Sequence, residues 1–203
     1  MAARPALAHP ATLAAIAAAA ALPLVMPSWS TLLALILAKG IVVLGIILLL
    51  QAGQVSFGHA LFFALGAYAT AFWVKYVGAG DLALFLVIGP LLATFVGYLV
   101  GLFVVRYREI FFSMLNLAFS MVLWSLLEKL FHYTNGADGI RVPRPTLFGM
   151  AFTPEAFQYV LVYLTLALAL IASYFVQRYL DSPMGHMLRA IKANETRLEY
   201  LGV

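Results

Sequence analysis

The sequence predicts an all-α fold: a polytopic transmembrane helical bundle of about six spans plus a cytoplasmic coupling helix. Three observations carry that reading. Of the 203 residues, 65% are hydrophobic and only 10% charged; the apolar residues gather in segments of span length; and the alternating strand pattern of a β-barrel is absent. An ordinary soluble domain has roughly a quarter of its residues charged, so most of this surface must meet lipid or other apolar protein. That excludes a soluble enzyme. The mean hydropathy of +1.01 agrees.

Cutting the chain at its polar and Pro/Gly interruptions gives six candidate spans, each near the ~20 residues a helix needs to cross about 30 Å of hydrocarbon. Residues 11–26 are short, Ala-rich and interrupted by Pro23. With Arg4 ahead of them they also fit a cleaved signal peptide, but an uncleaved span is the preferred reading. Residues 31–50 carry Lys39 mid-span, where a charge is expensive and either snorkels or faces a cavity. Residues 60–77 and 82–105 contain Gly66, Ala67, Ala69 and the pair Gly97 and Gly101, small residues expected at close helix contacts. Residues 110–131 place Ser113 and Asn116 mid-span, expected to bond helix to helix, with Glu128 and Lys129 as interface anchors at the end. Residues 157–176 form the sixth candidate.

Two connections are more than turns. Residues 131–156 contain Thr134-Asn135-Gly136-Ala137-Asp138-Gly139 with Pro143, Pro145 and Pro154, and loops of that length usually carry function or are disordered. From Gln177 the chain turns polar. Asp181 or Ser182 can cap a helix that accepts Pro183 in its first turn, with Met187, Ile191 and Leu198 on one stripe and Arg189, Lys192 and Arg197 elsewhere. Basic residues beside spans tend to stay in the cytoplasm. With the N-terminus inside, Arg4, Arg106, Arg108, Arg178, Arg189, Lys192 and Arg197 fall on the cytoplasmic side, against Lys75, Lys129, Arg141 and Arg144 outside.

Catalytic constellations are missing. There is no cysteine, hence no disulfide, thiolate site or cysteine nucleophile. His9, His59, His132 and His186 show no metal-ligand spacing, so no metal site is expected. The Ser56 context has one residue too many for a nucleophile elbow. No phosphate-binding loop is present, so any ATP used by the system binds another chain. The basic residues flank spans, which reports orientation and not nucleic acid.

The segment Gln51 to Ala60 is too polar for a lipid-exposed helix and too apolar for a solvated loop. Irregular backbone at membrane depth must be buried in protein or line a cavity. Two readings stay open: a tight turn capped by Ser56, or a broken helix whose Gln54, Ser56, Gly58 and His59 face a substrate path.

Three phrases together resemble the membrane-spanning permease subunit of ATP-binding-cassette importers for branched-chain amino acids, the LivM-like group. The first runs from Gly53-Gln54-Val55-Ser56-Phe57-Gly58-His59-Ala60 to Gly66-Ala67-Tyr68. The second is Ile110 to Phe119 followed by Thr134-Asn135-Gly136-Ala137-Asp138-Gly139, and the third is Ser182-Pro183-Met184-Gly185 through Asn194-Glu195 to Leu201-Gly202-Val203. The family usually has a Thr at Asn116, a Gly at Asn135, an Arg at His186 and a polar residue near Ile46. Its members continue with further spans, so the resemblance implies an N-terminal part of a permease.

The resemblance also implies a division of labour. Residues 1–177 would be the transmembrane region and residues 178–203 the cytoplasmic coupling segment, whose Ala190, Asn194, Glu195 and Gly202 meet the ATPase. Gln54, Ser56, Gly58 and His59 would line or brace the path. The implied partners are ABC ATPase subunits, a sister permease subunit, a periplasmic substrate-binding protein and the lipid bilayer of a bacterial inner membrane. This chain itself would hold no cofactor. Related permeases for urea or short amides share these phrases; a secondary transporter or channel fits less well, because only Lys39 is ionisable at mid-span.

Overall fold

The computed structural model describes residues 10–78 and 80–193, with Glu109 and Ala193 described by backbone alone. Among the described residues eight α-helices follow one another: α1 (Pro10–Val25), α2 (Ser30–Gln51), α3 (His59–Tyr76), α4 (Leu82–Val104), α5 (Glu109–Lys129), the single turn α6 (Phe131–Thr134), α7 (Pro154–Leu180) and α8 (Pro183–Ala193). Among the described residues there is no strand, only isolated bridges such as Asp81 to Thr146. The chain gathers into two compact units, Met1–Gly53 with Phe152–Val203, and Gln54–Ala151.

Each of the six expected spans is a helix. Among the described residues four segments are long and apolar enough to cross a membrane: Pro27–Gln51, Leu82–Val104, Ile110–Lys129 and Pro154–Leu180. The protein is therefore a multi-pass membrane protein. The other two expected spans fall short for physical reasons. α1 has 16 residues, about 24 Å at 1.5 Å per residue against a core of about 30 Å. α3 has 18 residues but begins with His59 and ends with Lys75 and Tyr76.

In the first unit α2 and α7 pack along each other, and α1 lies against both. Tyr163 on α7 donates its hydroxyl to the Ala20 carbonyl at 3.2 Å. Val162 and Ala34 are buried. Pro23 does not interrupt α1, which runs on to Val25 with the proline buried, although a proline there gives up the N–H that would bond the Ala19 carbonyl. α7 is longer than expected, at 27 residues. Thr153 caps its first turn by accepting from Ala156 N at 3.4 Å, and Pro154 suits the first helical position. Lys39 lies on an exposed face of α2 beside Gly40, where a side chain would meet open space.

A tight corner joins α7 to α8, built as the Asp-Ser-Pro run predicts. Ser182 Oγ donates to the Tyr179 carbonyl at 2.6 Å and accepts from Gly185 N at 3.4 Å. Arg189 donates to the Leu180 carbonyl at 2.9 Å, satisfying an acceptor that the end of α7 leaves free. Gly185 is buried, and a Cβ there would collide with the Leu180 and Tyr179 carbonyl oxygens. Beyond α2, Gly53 has φ +77°, and the Lys192 stem of α8 comes within 3.2 Å of where its Cβ would stand. α8 is thus seated on the C-terminal ends of α2 and α7.

In the second unit α3 and α4 approach at glycines. A Cβ on Gly89 would lie 3.4 Å from the Gly66 carbonyl oxygen, and one on Gly97 would lie 3.3 Å from the Phe62 ring. Ala69 and Ala71 are buried, whereas Ala67 is exposed. Gly101 faces open space, so only one half of the expected Gly97–Gly101 pair makes a helix contact.

Candidate functional site

The chain leaves helical geometry after Gln51 and regains it at His59, with Gly58 as the cap residue of α3. Ser56 is 6% exposed. Its Oγ accepts from Gly58 N at 3.3 Å and bonds His59 Nδ1 at 3.1 Å. Ser56 therefore closes a turn on itself, as the capped-turn reading expects. Gln54 and His59 are half-buried, while Val55 and Phe57 are exposed.

This turn is fastened to α5. Ser113, buried near the start of α5, donates its hydroxyl to the Val55 carbonyl. Gly58 sits so close to Asn116 that a Cβ would lie 2.8 Å from both the Asn116 Cβ and its carbonyl oxygen. Ser113 thus bonds across segments, but to the irregular turn and not to another helix as expected. Asn116 instead donates to Phe112 in its own helix at 2.9 Å, and its role towards α3 is steric. Ser56→Ala should lower stability by about 1 kcal/mol, the scale of a lost cap; thermal unfolding of the variant beside the parent protein checks that expectation.

α3 and α5 run parallel: Gly58 is level with Asn116 at one end, and Lys75 donates to the Tyr133 carbonyl at 2.7 Å near the other. Between them lies a cleft of about 450 Å³. Ala60, Ala64 and Tyr68 line it from α3, and Ser120, Trp124 and Glu128 from α5, each set spaced by four residues along one helix face. The innermost lining residues, Ala60 and Ser120, stand within a turn of the Gly58–Asn116 contact. At the other end Gly136 and Ala137 form the rim. Ser120 Oγ is buried without a hydrogen-bond partner.

The rim is well ordered by hydrogen bonds. Thr134, 1% exposed, donates to the Leu127 carbonyl at 2.6 Å and accepts from Gly136 N at 3.1 Å. Asn135 takes φ +61° and Gly136 +54°; the left-handed region suits Asn and especially Gly. On the far side of this turn Lys75, Asp138 and Arg141 surround a polar cavity of about 780 Å³. The loop continues to α4, where Leu82 N donates to the Thr146 carbonyl at 2.7 Å and the Asp81 carboxylate accepts from Gly149 N at 3.2 Å. The long connection is a folded cover for one end of this unit.

The residues of this chain match, over positions 28–203, the family described as branched-chain amino acid transport system, permease component. The chain belongs to that family. The high-affinity branched-chain amino acid transport system permease protein LivM of Escherichia coli is 30% identical over 195 residues, covering 85% of this chain and 44% of that protein. LivM of Salmonella typhimurium is 28% identical over the same coverage. The chain therefore spans less than half the length of these curated relatives. No solved structure matches it.

The structure brings together the turn residues Ser56, Gly58 and His59 with Ser113 and Asn116 of α5. Ala190 is half-buried on α8, at the other candidate site. Asn194, Glu195 and Gly202 lie outside the described residues. Ser120, Tyr68 and the cleft-facing position of Glu128 escaped sequence reasoning. Their signal was the four-residue spacing of polar groups, Ser120 and Glu128 with Trp124 between, on an otherwise apolar helix.

Proposed function

We propose that this chain is the path-forming permease subunit of an ATP-binding-cassette importer for branched-chain or other hydrophobic amino acids, in a bacterial inner membrane. The family match over residues 28–203 carries the reading. A periplasmic binding protein would deliver substrate to the face made by the 131–156 cover. A sister permease would complete the path. ATPase subunits would bind the nucleotide and press on α8 and the residues that follow it, including Ala190, Asn194, Glu195 and Gly202. The way α8 is seated on the ends of α2 and α7 supports this, because a push on α8 reaches α7 through the close corner at Gly185 and α2 through the Lys192 stem beside Gly53. The mostly apolar cleft walls favour a hydrophobic amino acid over urea or a short amide, whose polar atoms would go unpaired there.

The test is uptake of labelled leucine by proteoliposomes that hold the permease complex with this chain, its ATPase and sister permease, supplied with the binding protein. ATP-dependent leucine accumulation is expected. Accumulation of urea or acetamide in preference to leucine would replace the substrate assignment, and transport that ignores ATP would replace the class.

A further inference from the structure

We propose that the cleft between α3 and α5 is a binding site for a small ligand with a branched aliphatic body and an ammonium group, the ammonium resting at Glu128. The proposal rests on the importer reading above and adds where in this chain such a substrate is held. A volume of about 450 Å³ falls within the range of small-molecule pockets. The walls are small on one side and broad on the other: Ala60 and Ala64 leave room, and Leu123, Trp124 and Leu127 supply an apolar surface. An aliphatic side chain fits between them.

The polar groups are placed for a charged head. Glu128 lines the cleft at its rim, while the adjacent Lys129 faces a separate groove beside Leu126. Among the described residues no cation pairs with the Glu128 carboxylate. A carboxylate at the mouth of an apolar cleft selects an ammonium and disfavours a carboxylate. Tyr68, eight residues along α3 from Ala60 as Glu128 is from Ser120, lines the same cleft. Across the rim, Lys75 and Arg141 offer the opposite charge beside the polar cavity, which suits approach of a zwitterion. About 12 Å further in, at 1.5 Å per residue, waits the unpartnered Ser120 hydroxyl. A buried hydroxyl without a partner is uncommon, and here it lines space that a ligand's polar atom can reach.

These 203 residues lack cysteine; with any cysteine elsewhere in the complex replaced, the site can be probed directly in the purified permease complex without the binding protein. Ala64→Cys places a thiol in the cleft wall, and its rate of modification by a methanethiosulfonate reagent is measured. Leucine and isoamylamine should each slow modification, 4-methylpentanoate should not, and Glu128→Gln should weaken the leucine effect by about tenfold, the worth of one charge-assisted pair. Ala118→Cys, on an exposed face of α5, should not respond to any of them. An Ala64→Cys thiol that never reacts would mean that another segment fills the cleft and would overturn the proposal. So would a rate that leucine leaves unchanged. Equal protection by leucine and 4-methylpentanoate would overturn the role of Glu128. Leucine uptake by the unmutated complex reports on the importer reading separately, so failure of the site and failure of that reading are told apart.

Discussion

Gly58→Val is expected to abolish ATP-dependent uptake while the protein still inserts in the membrane. A Cβ at Gly58 would stand 2.8 Å from both the Cβ and the carbonyl oxygen of Asn116, so the new side chain meets backbone and cannot be relieved by a rotamer change. Overpacking of this kind costs about 1–3 kcal/mol, and the cheapest relief is to part α3 from α5. Parting them moves the floor of the cleft and pulls Val55 from Ser113. Asn116→Gly would remove the Cβ half of the clash and leave the carbonyl half, so it should restore uptake only in part. Uptake normalised to folded protein, with Ser56→Ala alongside, is the measurement. Normal uptake by Gly58→Val would show that the close approach has no part in transport.

Gly185→Val should separate ATP hydrolysis from transport. The Cβ would collide with the carbonyls of Tyr179 and Leu180, the groups around which Ser182 and Arg189 build the α7–α8 corner. α8 would then leave its seat on the ends of α2 and α7 without losing its own helical bonds. Site-to-site coupling energies are typically 1–3 kcal/mol, about 5- to 150-fold in effect, and a fall of that size in leucine moved per ATP hydrolysed is expected. Both rates should be read from the same vesicles. If leucine moved per ATP is unchanged, the corner does not transmit the ATPase stroke.

Much of the fold was legible because apolar runs of span length become helices almost whatever their detail. The helix order and the capped start of α8 at Ser182-Pro183 follow from residues visible in the sequence. Other features depended on what lies opposite in space. Gly89 meets Gly66 across two helices, and nothing beside it in the sequence marks it as a contact; α4 runs on through its neighbour Pro90. Pro23 reads as an interruption, yet α1 continues through it to Val25. Asn116 is polar enough to suggest a cross-helix bond, yet Phe112 one turn earlier satisfies it. Of the site, the Ser56 turn was legible as one of two readings, whereas the cleft required knowing that α3 and α5 run parallel with Ala60 level with Ser120. Gly185 drew no attention because its constraint comes from a corner and not from a turn of positive φ.

The importer account assigns a side of the membrane to each end of the chain's helices, and cysteine labelling tests that assignment most directly. Ala137→Cys lies at the exposed rim of the α3–α5 cleft, and Met187→Cys on the exposed face of α8. In intact cells whose outer membrane has been made permeable, an impermeant maleimide should label Ala137→Cys and leave Met187→Cys untouched until the inner membrane is opened. Labelling of Met187→Cys from outside, or protection of Ala137→Cys until the inner membrane is opened, would place α8 away from the ATPase or the cleft away from the delivered substrate, and would contradict the account.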